Sequence, residues 1–121
     1  MNNTSIVNKL KLFADLLELH NGDSFKIKAL RNAHSSLRKV AEPIMLMSAE
    51  TLTQLPGIGK NTSKLILQLA QDGFDPELDR LLSETPEGVV EMFHIKGLGP
   101  KRIARLWQDM EVDSVGELIK H

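Results

Sequence analysis

The chain has 121 residues, 41% of them apolar and 26% charged, with 15 basic against 16 acidic side chains and a net charge of −1. This is the make-up of a single globular domain with a real core; it argues against disorder, against a membrane-spanning run and against a uniformly basic nucleic-acid binder. Cysteine is absent and the four histidines (His20, His34, His94, His121) show no ligand spacing, which excludes disulfides and thiolate metal sites and fits a reducing cytoplasm.

In chain order, Met1 to Ser5 lacks the basic-then-apolar pattern of a secretory signal. A first helix is predicted over Ser5 to Leu19, capped by Thr4 or Ser5 and ended by Asn21-Gly22. Ile6, Leu10, Phe13 and Leu17 fall on one of its faces. A second helix follows Ser24, with Phe25, Ala29, Ala33, Leu37 and Val40 as its apolar stripe, and Pro43 limits it. A short turn spans Ile44 to Met47, where Met45 and Met47 read as gap-filling core. Ser48 caps a brief helix through Leu52. From Lys60 to Asp72 a longer helix carries Leu65, Ile66, Leu69 and Ala70, with Gly73 as its C-terminal cap. Asp75-Pro76 opens another helix with Leu78, Leu81 and Leu82 inward, and Thr85-Pro86 repeats that signal ahead of Val89, Val90 and Phe93. Pro100 begins a helix carrying Ile103, Ala104, Leu106, Trp107 and Met110, and Asp113-Ser114 caps a last one with Val115, Leu118 and Ile119. No strand-like alternation occurs, so the fold class is all-α with short connections.

The charges are segregated. Lys26, Lys28, Arg31, Arg38 and Lys39 follow one another without an acid. Asp72, Asp75, Glu77, Asp79, Glu84, Glu87 and Glu91 are opposed only by Arg80. Lys96, Lys101, Arg102 and Arg105 form a second basic group. Such spacing gives a neutral molecule a basic face, although solvated helix faces produce the same pattern.

One pattern repeats. Leu55-Pro56-Gly57-Ile58-Gly59-Lys60 recurs at an offset of 40 residues as Ile95-Lys96-Gly97-Leu98-Gly99-Pro100, each copy lying between two helical segments. Glycines at this spacing turn the chain sharply with φ > 0 and leave no side chain over the turn. The first amides of the next helix then stay open, and such a helix start suits an anion, phosphate above all. The donors are placed at Gly57, Gly59 and Lys60, and at Gly97, Gly99 and Lys101, since Pro100 has no N–H. Lys60, Lys64, Lys101, Arg102 and Arg105 add charge, and Lys26 keeps a basic position upstream. Contacts of this type hold a nucleic-acid backbone without reading bases. The affinity expected for such a module is about 10⁻⁴ to 10⁻⁶ M and salt-sensitive. Valine at Gly57 and Gly97 together is expected to remove most binding without unfolding the chain.

At these residues the chain resembles paired helix-hairpin-helix motifs. With F-K-I-K-A-L-R-N-A upstream and T-P-E-G-V-V-E-M-F between, it is similar to the N-terminal region of bacterial family X DNA polymerases, over about Leu10 to Ile119. That region corresponds to the lyase-type domain and adjoining fingers-like subdomain of polymerase beta, a SAM-like helical fold. The resemblance implies N-terminal helices over 1–54, a first hairpin unit over 55–84 and a second over 85–121. It implies backbone binding through main-chain amides, to gapped, nicked or single-strand-junction DNA in repair or gap filling, by a monomer with no membrane role. It also implies a monovalent cation, Na+ or K+, at the main-chain carbonyls of Thr53, Leu55 and Ile58, and again at Phe93, Ile95 and Leu98.

Catalysis by this chain alone is not expected. The family's lyase reaction uses a lysine amine to form a Schiff base with an abasic sugar, and that position here is Leu65. The family's histidine and tyrosine positions are Phe25 and Leu30. Lys64 is one residue, about 100°, around the helix from Leu65 and is expected to point elsewhere; Lys64 or Lys60 as a substitute amine is the exception to test. Polymerase chemistry needs clustered carboxylates for magnesium, and Glu111 and Asp113 are the nearest imitation. Magnesium would belong to a catalytic domain outside this chain. Two rival readings stay open, the lyase and a helical protein-docking module marked by an exposed patch that includes Trp107 or Phe74.

Overall fold

The computed structural model describes residues 2–110. Seven α-helices and one 3₁₀ turn lie among them, and no strand. They are α1 (Asn3–Leu19), α2 (Ser24–Leu37), the 3₁₀ turn (Ile44–Leu46), α3 (Ala49–Thr53), α4 (Lys60–Asp72), α5 (Pro76–Ser83), α6 (Glu87–Met92) and α7 (Pro100–Met110). The all-α reading holds. Expectations for the Met110 side chain, for Glu111 and Asp113, and for a last helix through Val115, Leu118 and Ile119 lie outside the described residues.

Helix α1 is the centre of the molecule, with α2, α4, α5 and α7 all packed on it. Its sequence explains the position. Ile6, Leu10, Phe13, Ala14, Leu16, Leu17 and Leu19 are all buried, too wide an arc for a helix with only one covered face. The core continues through Leu30, Ala33 and Leu37 of α2, Ile66 and Leu69 of α4, Leu78 and Leu81 of α5, and Ile103 of α7. Losing one of these large side chains to alanine costs about 2–5 kcal/mol.

Helix α1 begins earlier than Thr4 or Ser5 because Asn2 caps it, accepting from the Ser5 amide at 2.8 Å. Asn3 then pins the segment after α2. Its Nδ2 donates to the carbonyls of Val40 (3.3 Å) and Glu42 (2.8 Å), and its Oδ1 accepts from the Ile44 amide at 2.9 Å. At its C-terminus α1 closes with the paired bonds of a Schellman turn. Gly22 donates to Leu17 at 2.7 Å and Asn21 to Glu18 at 3.3 Å, with Asn21 left-handed at φ 57°. A side chain at Gly22 would meet a Leu17 methyl at 2.8 Å.

Three local expectations are corrected. Phe25 is 83% exposed and does not join the α2 stripe. The buried face is Leu30, Ala33 and Leu37, and at 100° per residue Phe25 lies about 120° around the helix from Leu37. Met45 is 41% exposed and Leu46 80%, because the three-residue 3₁₀ turn buries only Ile44; Met47 is half-buried. Thr85 does not cap α6, whose N-cap position is Pro86. The Thr85 hydroxyl instead donates back to the Leu81 carbonyl at 2.6 Å.

One polar group is buried in the α1–α2 contact. Asp15 is 3% exposed and receives Arg31 at 2.7 Å and Lys11 at 2.9 Å, while Arg31 also reaches Glu18 at 2.7 Å. Burial acts against the Arg31 charge, but the hydrogen bonds and charges of Asp15 and Glu18 outweigh it and raise its pKa above the ordinary arginine value. Part of the basic run read from the sequence is thus spent inside the fold.

Candidate nucleic-acid interface

The two glycine turns are built alike, bond for bond. In the first, Leu55 donates to Leu52 at 3.1 Å, Ile58 to Leu55 at 3.3 Å and Ser63 to Gly59 at 2.9 Å. In the second, Ile95 donates to Met92 at 3.1 Å, Leu98 to Ile95 at 3.1 Å and Ile103 to Gly99 at 3.0 Å. Gly57 and Gly97 take the left-handed conformation, at φ 78° and 85°. Ile58 is buried and Leu98 half-buried, so the apolar residue between the glycines anchors each turn to the core while both glycines stay exposed. The repeat legible at 40 residues is therefore a repeat of geometry.

The helix starts decide what these turns can do. Helices α1, α2, α3 and α5 are closed by the side chains of Asn2, Asp23, Ser48 and Asp75, each accepting a first-turn amide. Helix α4 is headed by Gly59 and has no side-chain cap. Gly99 stands at the same point before α7 and has no side chain to offer. Among the described residues, the amides of Gly57, Gly59, Lys60, Asn61 and Thr62 find no acceptor, nor do those of Gly97, Gly99, Lys101 and Arg102. An ideal Cβ on Gly59, Gly97 or Gly99 would have nothing within 4 Å, so the space before these donors is open. The paired hairpin helices thus keep unsatisfied donors at the positive end of the helix dipole, a ready anion seat. Asn61 and Thr62 were not foreseen as donors, although they occupy the first turn of the predicted helix.

The first hairpin is held from α2. The Ser36 hydroxyl donates to the Pro56 carbonyl, and the Asn32 side chain lies beneath Gly57. A Cβ on Gly57 would come within 2.8 Å of the Asn32 Cβ. Valine there strains the turn and strikes α2, so the expectation that Gly57 can be replaced without disturbing the fold is corrected. Gly59 is the position that tolerates a side chain, with extended backbone at φ −94°.

Gly57, Gly59, Lys60, Lys64 and Lys26 come together along an open groove of about 970 Å³ between α2 and α4, also lined by Phe25, Leu30, Leu65 and Gln68. Lys60 and Lys64 are exposed and make no ion pair among the described residues. Lys26 differs. Its ammonium is paired with Glu77 and lies 4.9 Å from the centre of the Phe13 ring, so its charge is already neutralised. Lys64 borders the same groove as Leu65, which corrects the expectation that it points elsewhere. The second group, Gly97, Gly99, Lys101, Arg102 and Arg105, rides on α7 and its turn, with the three basic side chains exposed and without ion pairs among the described residues. Asp23 and Asp75 also line the groove, while on α5 Arg80 is within 3.2 Å of Glu84 and 3.9 Å of Glu77.

The carbonyls expected to hold a cation accept few amides. Leu55 and Ile95 each accept one amide, from Ile58 and Leu98, while Thr53, Ile58, Phe93 and Leu98 accept none among the described residues. Every carbonyl therefore has a lone pair to spare. Of the two residues expected to mark a protein-docking patch, Phe74 is 45% exposed, whereas Trp107 is half-buried against the core. No helix among the described residues is long and apolar enough to cross a membrane.

Comparison with known proteins agrees with this architecture. Over 118 residues the chain is 31% identical to the DNA polymerase/3′-5′ exonuclease PolX of Bacillus subtilis (strain 168), covering 98% of this chain and 20% of that relative. The matched part is the relative's N-terminal region, and the chain spans about a fifth of its length. A family model described as "Helix-hairpin-helix domain" matches residues 1–74. With that match over more than half its length, on the segment that carries the first glycine hairpin, the chain belongs to the helix-hairpin-helix domain family.

Proposed function

We propose that the chain binds the sugar-phosphate backbone of DNA without reading bases, as the N-terminal module of a family X DNA polymerase. The observation that carries this reading is the contrast in helix starts. Four helices are closed by polar side chains and α6 starts without one behind Pro86, while the two hairpin helices begin at glycines whose first-turn amides stay open on an exposed turn. An uncapped helix start forgoes about 0.5–2 kcal/mol relative to the best caps when compared with apolar residues, and a few tenths when the residue is glycine. That small sacrifice, made in both copies of the Gly-x-Gly repeat, is what an external phosphate would offset. Lys60 and Lys64 flank the first seat, and Lys101, Arg102 and Arg105 the second. A Na+ or K+ ion on the carbonyls of either turn would place positive charge beside the same phosphate.

The substrate proposed is gapped or nicked DNA, bound by a monomer during repair synthesis. Two hairpins can engage backbone on either side of a break, whereas continuous duplex offers no such division. Titration of gapped, nicked and continuous duplexes at several salt concentrations tests this. Expected are affinities in the range of about 10⁻⁴ to 10⁻⁶ M, a linear fall of log K with log salt, and preference for the gapped duplex. Salt-independent or absent binding would refute the reading; equal binding to all three would refute the substrate.

The lyase alternative is weakened at the Schiff-base position, where Leu65 stands and Leu30 is buried, although Lys60 and Lys64 line the same groove. Borohydride trapping on abasic-site DNA is expected to give no adduct, and a strong adduct would restore that alternative.

A further inference from the structure

His20 is the last residue of the α1 segment and touches both limbs of the second hairpin unit. Its Nε2 lies 2.8 Å from the Thr85 hydroxyl, one residue before the α6 cap. Its ring meets the Trp107 ring edge to face, with centroids 5.5 Å apart at 80°. The hydrogen-bond directions are fixed by counting protons. The single Thr85 hydroxyl proton goes to the Leu81 carbonyl at 2.6 Å, so the oxygen is left to accept and His20 Nε2 must donate. Thr85 is buried, and among the described residues no buried side-chain polar atom lacks a partner. A methyl group in place of the hydroxyl would leave the imidazole N–H without its acceptor.

The first hairpin is referred to the same helix. Helix α4 packs on α1, and Lys9 of α1 donates to the Gly73 carbonyl at the end of α4 at 2.9 Å. Helix α1 is thus the common frame for both hairpins. The buried side chains that tie α7 to it are apolar and make undirected contacts, whereas the His20–Thr85 hydrogen bond is directional.

We propose that His20 is a positioning residue that holds the second hairpin in fixed orientation to the first, through Thr85 on one limb and Trp107 on the other, so that both engage one DNA molecule together. The proposal rests on the backbone-binding reading above. Two seats on a rigid frame bind as one bivalent site, while seats that move independently lose the gain in effective concentration.

The test compares wild type with Thr85→Val and Thr85→Ser, titrated with the same gapped duplex across a salt series. Ile6→Val, far along α1, serves as a control for lost stability. Trp107 is the chain's one tryptophan, so its emission and acrylamide quenching report the junction directly. Expected for Thr85→Val are about tenfold weaker binding, a shallower salt dependence as fewer phosphates are neutralised together, and a more quenchable Trp107. Thr85→Ser should restore all three, and Ile6→Val should change none. Should Thr85→Val fail to fold, His20→Gln and His20→Ala take its place. Glutamine keeps a donor for Thr85 and should retain the wild-type salt slope, while alanine should lose it. If wild type binds and Thr85→Val or His20→Ala binds with the same affinity and slope, the inference is overturned while backbone binding stands. If Ile6→Val weakens binding as much, stability is the cause and the inference is overturned. If wild type itself shows no salt-dependent binding, the backbone-binding reading fails and takes the inference with it.

Discussion

Placing aspartate at Gly59 and Gly99 should move stability and DNA binding in opposite directions. Gly59 has extended backbone, and nothing lies within 4 Å of a Cβ at either position, so the side chain fits without displacing a neighbour. The fold contains its own template for the result. On α5, Asp75 accepts from the amides of Glu77 at 3.0 Å and Leu78 at 3.1 Å. The gain over glycine is a few tenths of a kcal/mol for the cap plus about 0.3–1 kcal/mol for a carboxylate at the helix dipole. For the pair the sum is about 1–3 kcal/mol, which raises Tm by several degrees in a chain this size. The same carboxylates occupy the amides offered to phosphate and repel it. Each lost phosphate contact should lower the slope of log K against log salt by about 0.9, with affinity falling at least about tenfold. Thermal unfolding and a salt-series titration on the same preparation measure both. Higher Tm with unchanged affinity would refute the assignment of the phosphate to these amides. Lower Tm would refute the claim that the helix starts are open.

Gly57→Ala should cost more than about 1–2 kcal/mol, from the left-handed backbone and from the Asn32 contact, and chemical denaturation measures it. Arg31→Ala should destabilise by about 3 kcal/mol by leaving the buried Asp15 with only Lys11, while Asp15→Asn with Arg31→Gln should recover part of the loss. His34 has its pKa lowered by burial first and then by Arg38, Lys11 and Arg31, against the pull of Asp15. A depressed folded-state pKa means that the unfolded chain binds the proton more readily. Its contribution is present above the unfolded value of about 6.5 and is lost as pH falls below it. His34→Gln should therefore flatten the decline of stability between neutral pH and about pH 5, as followed by denaturant midpoints.

Much of the site was legible because it is made of local backbone. A glycine that must sit at φ > 0, an apolar anchor next to it and a helix beginning two residues later are all written within six positions, and the second copy confirms the first. The cap at Asp75, the proline at Pro76 and the left-handed Gly73 were readable for the same reason. What was missed depends on partners distant in the chain. Lys26 looked like a free cation because Glu77, which neutralises it, is 51 residues away. Asp15 gave no sign of burial, since its Arg31 partner lies on the next helix. Thr85 carried the Thr-Pro signature of a helix start, but His20, 65 positions earlier, claims its hydroxyl. Phe25 was misassigned for a different reason. A stripe stepped strictly by four residues drifts about 40° per step, so a run from Leu37 back to Phe25 leaves the buried face.

The most direct measurement is an amide-resolved NMR titration of the chain with a short gapped duplex. The account predicts that the amide resonances of Gly57, Gly59, Lys60, Asn61 and Thr62 shift together with those of Gly97, Gly99, Lys101 and Arg102, at one midpoint, while first-turn amides of the capped helices α1, α3 and α5 stay still. Shifts confined to other surfaces, with both glycine turns silent, would contradict it.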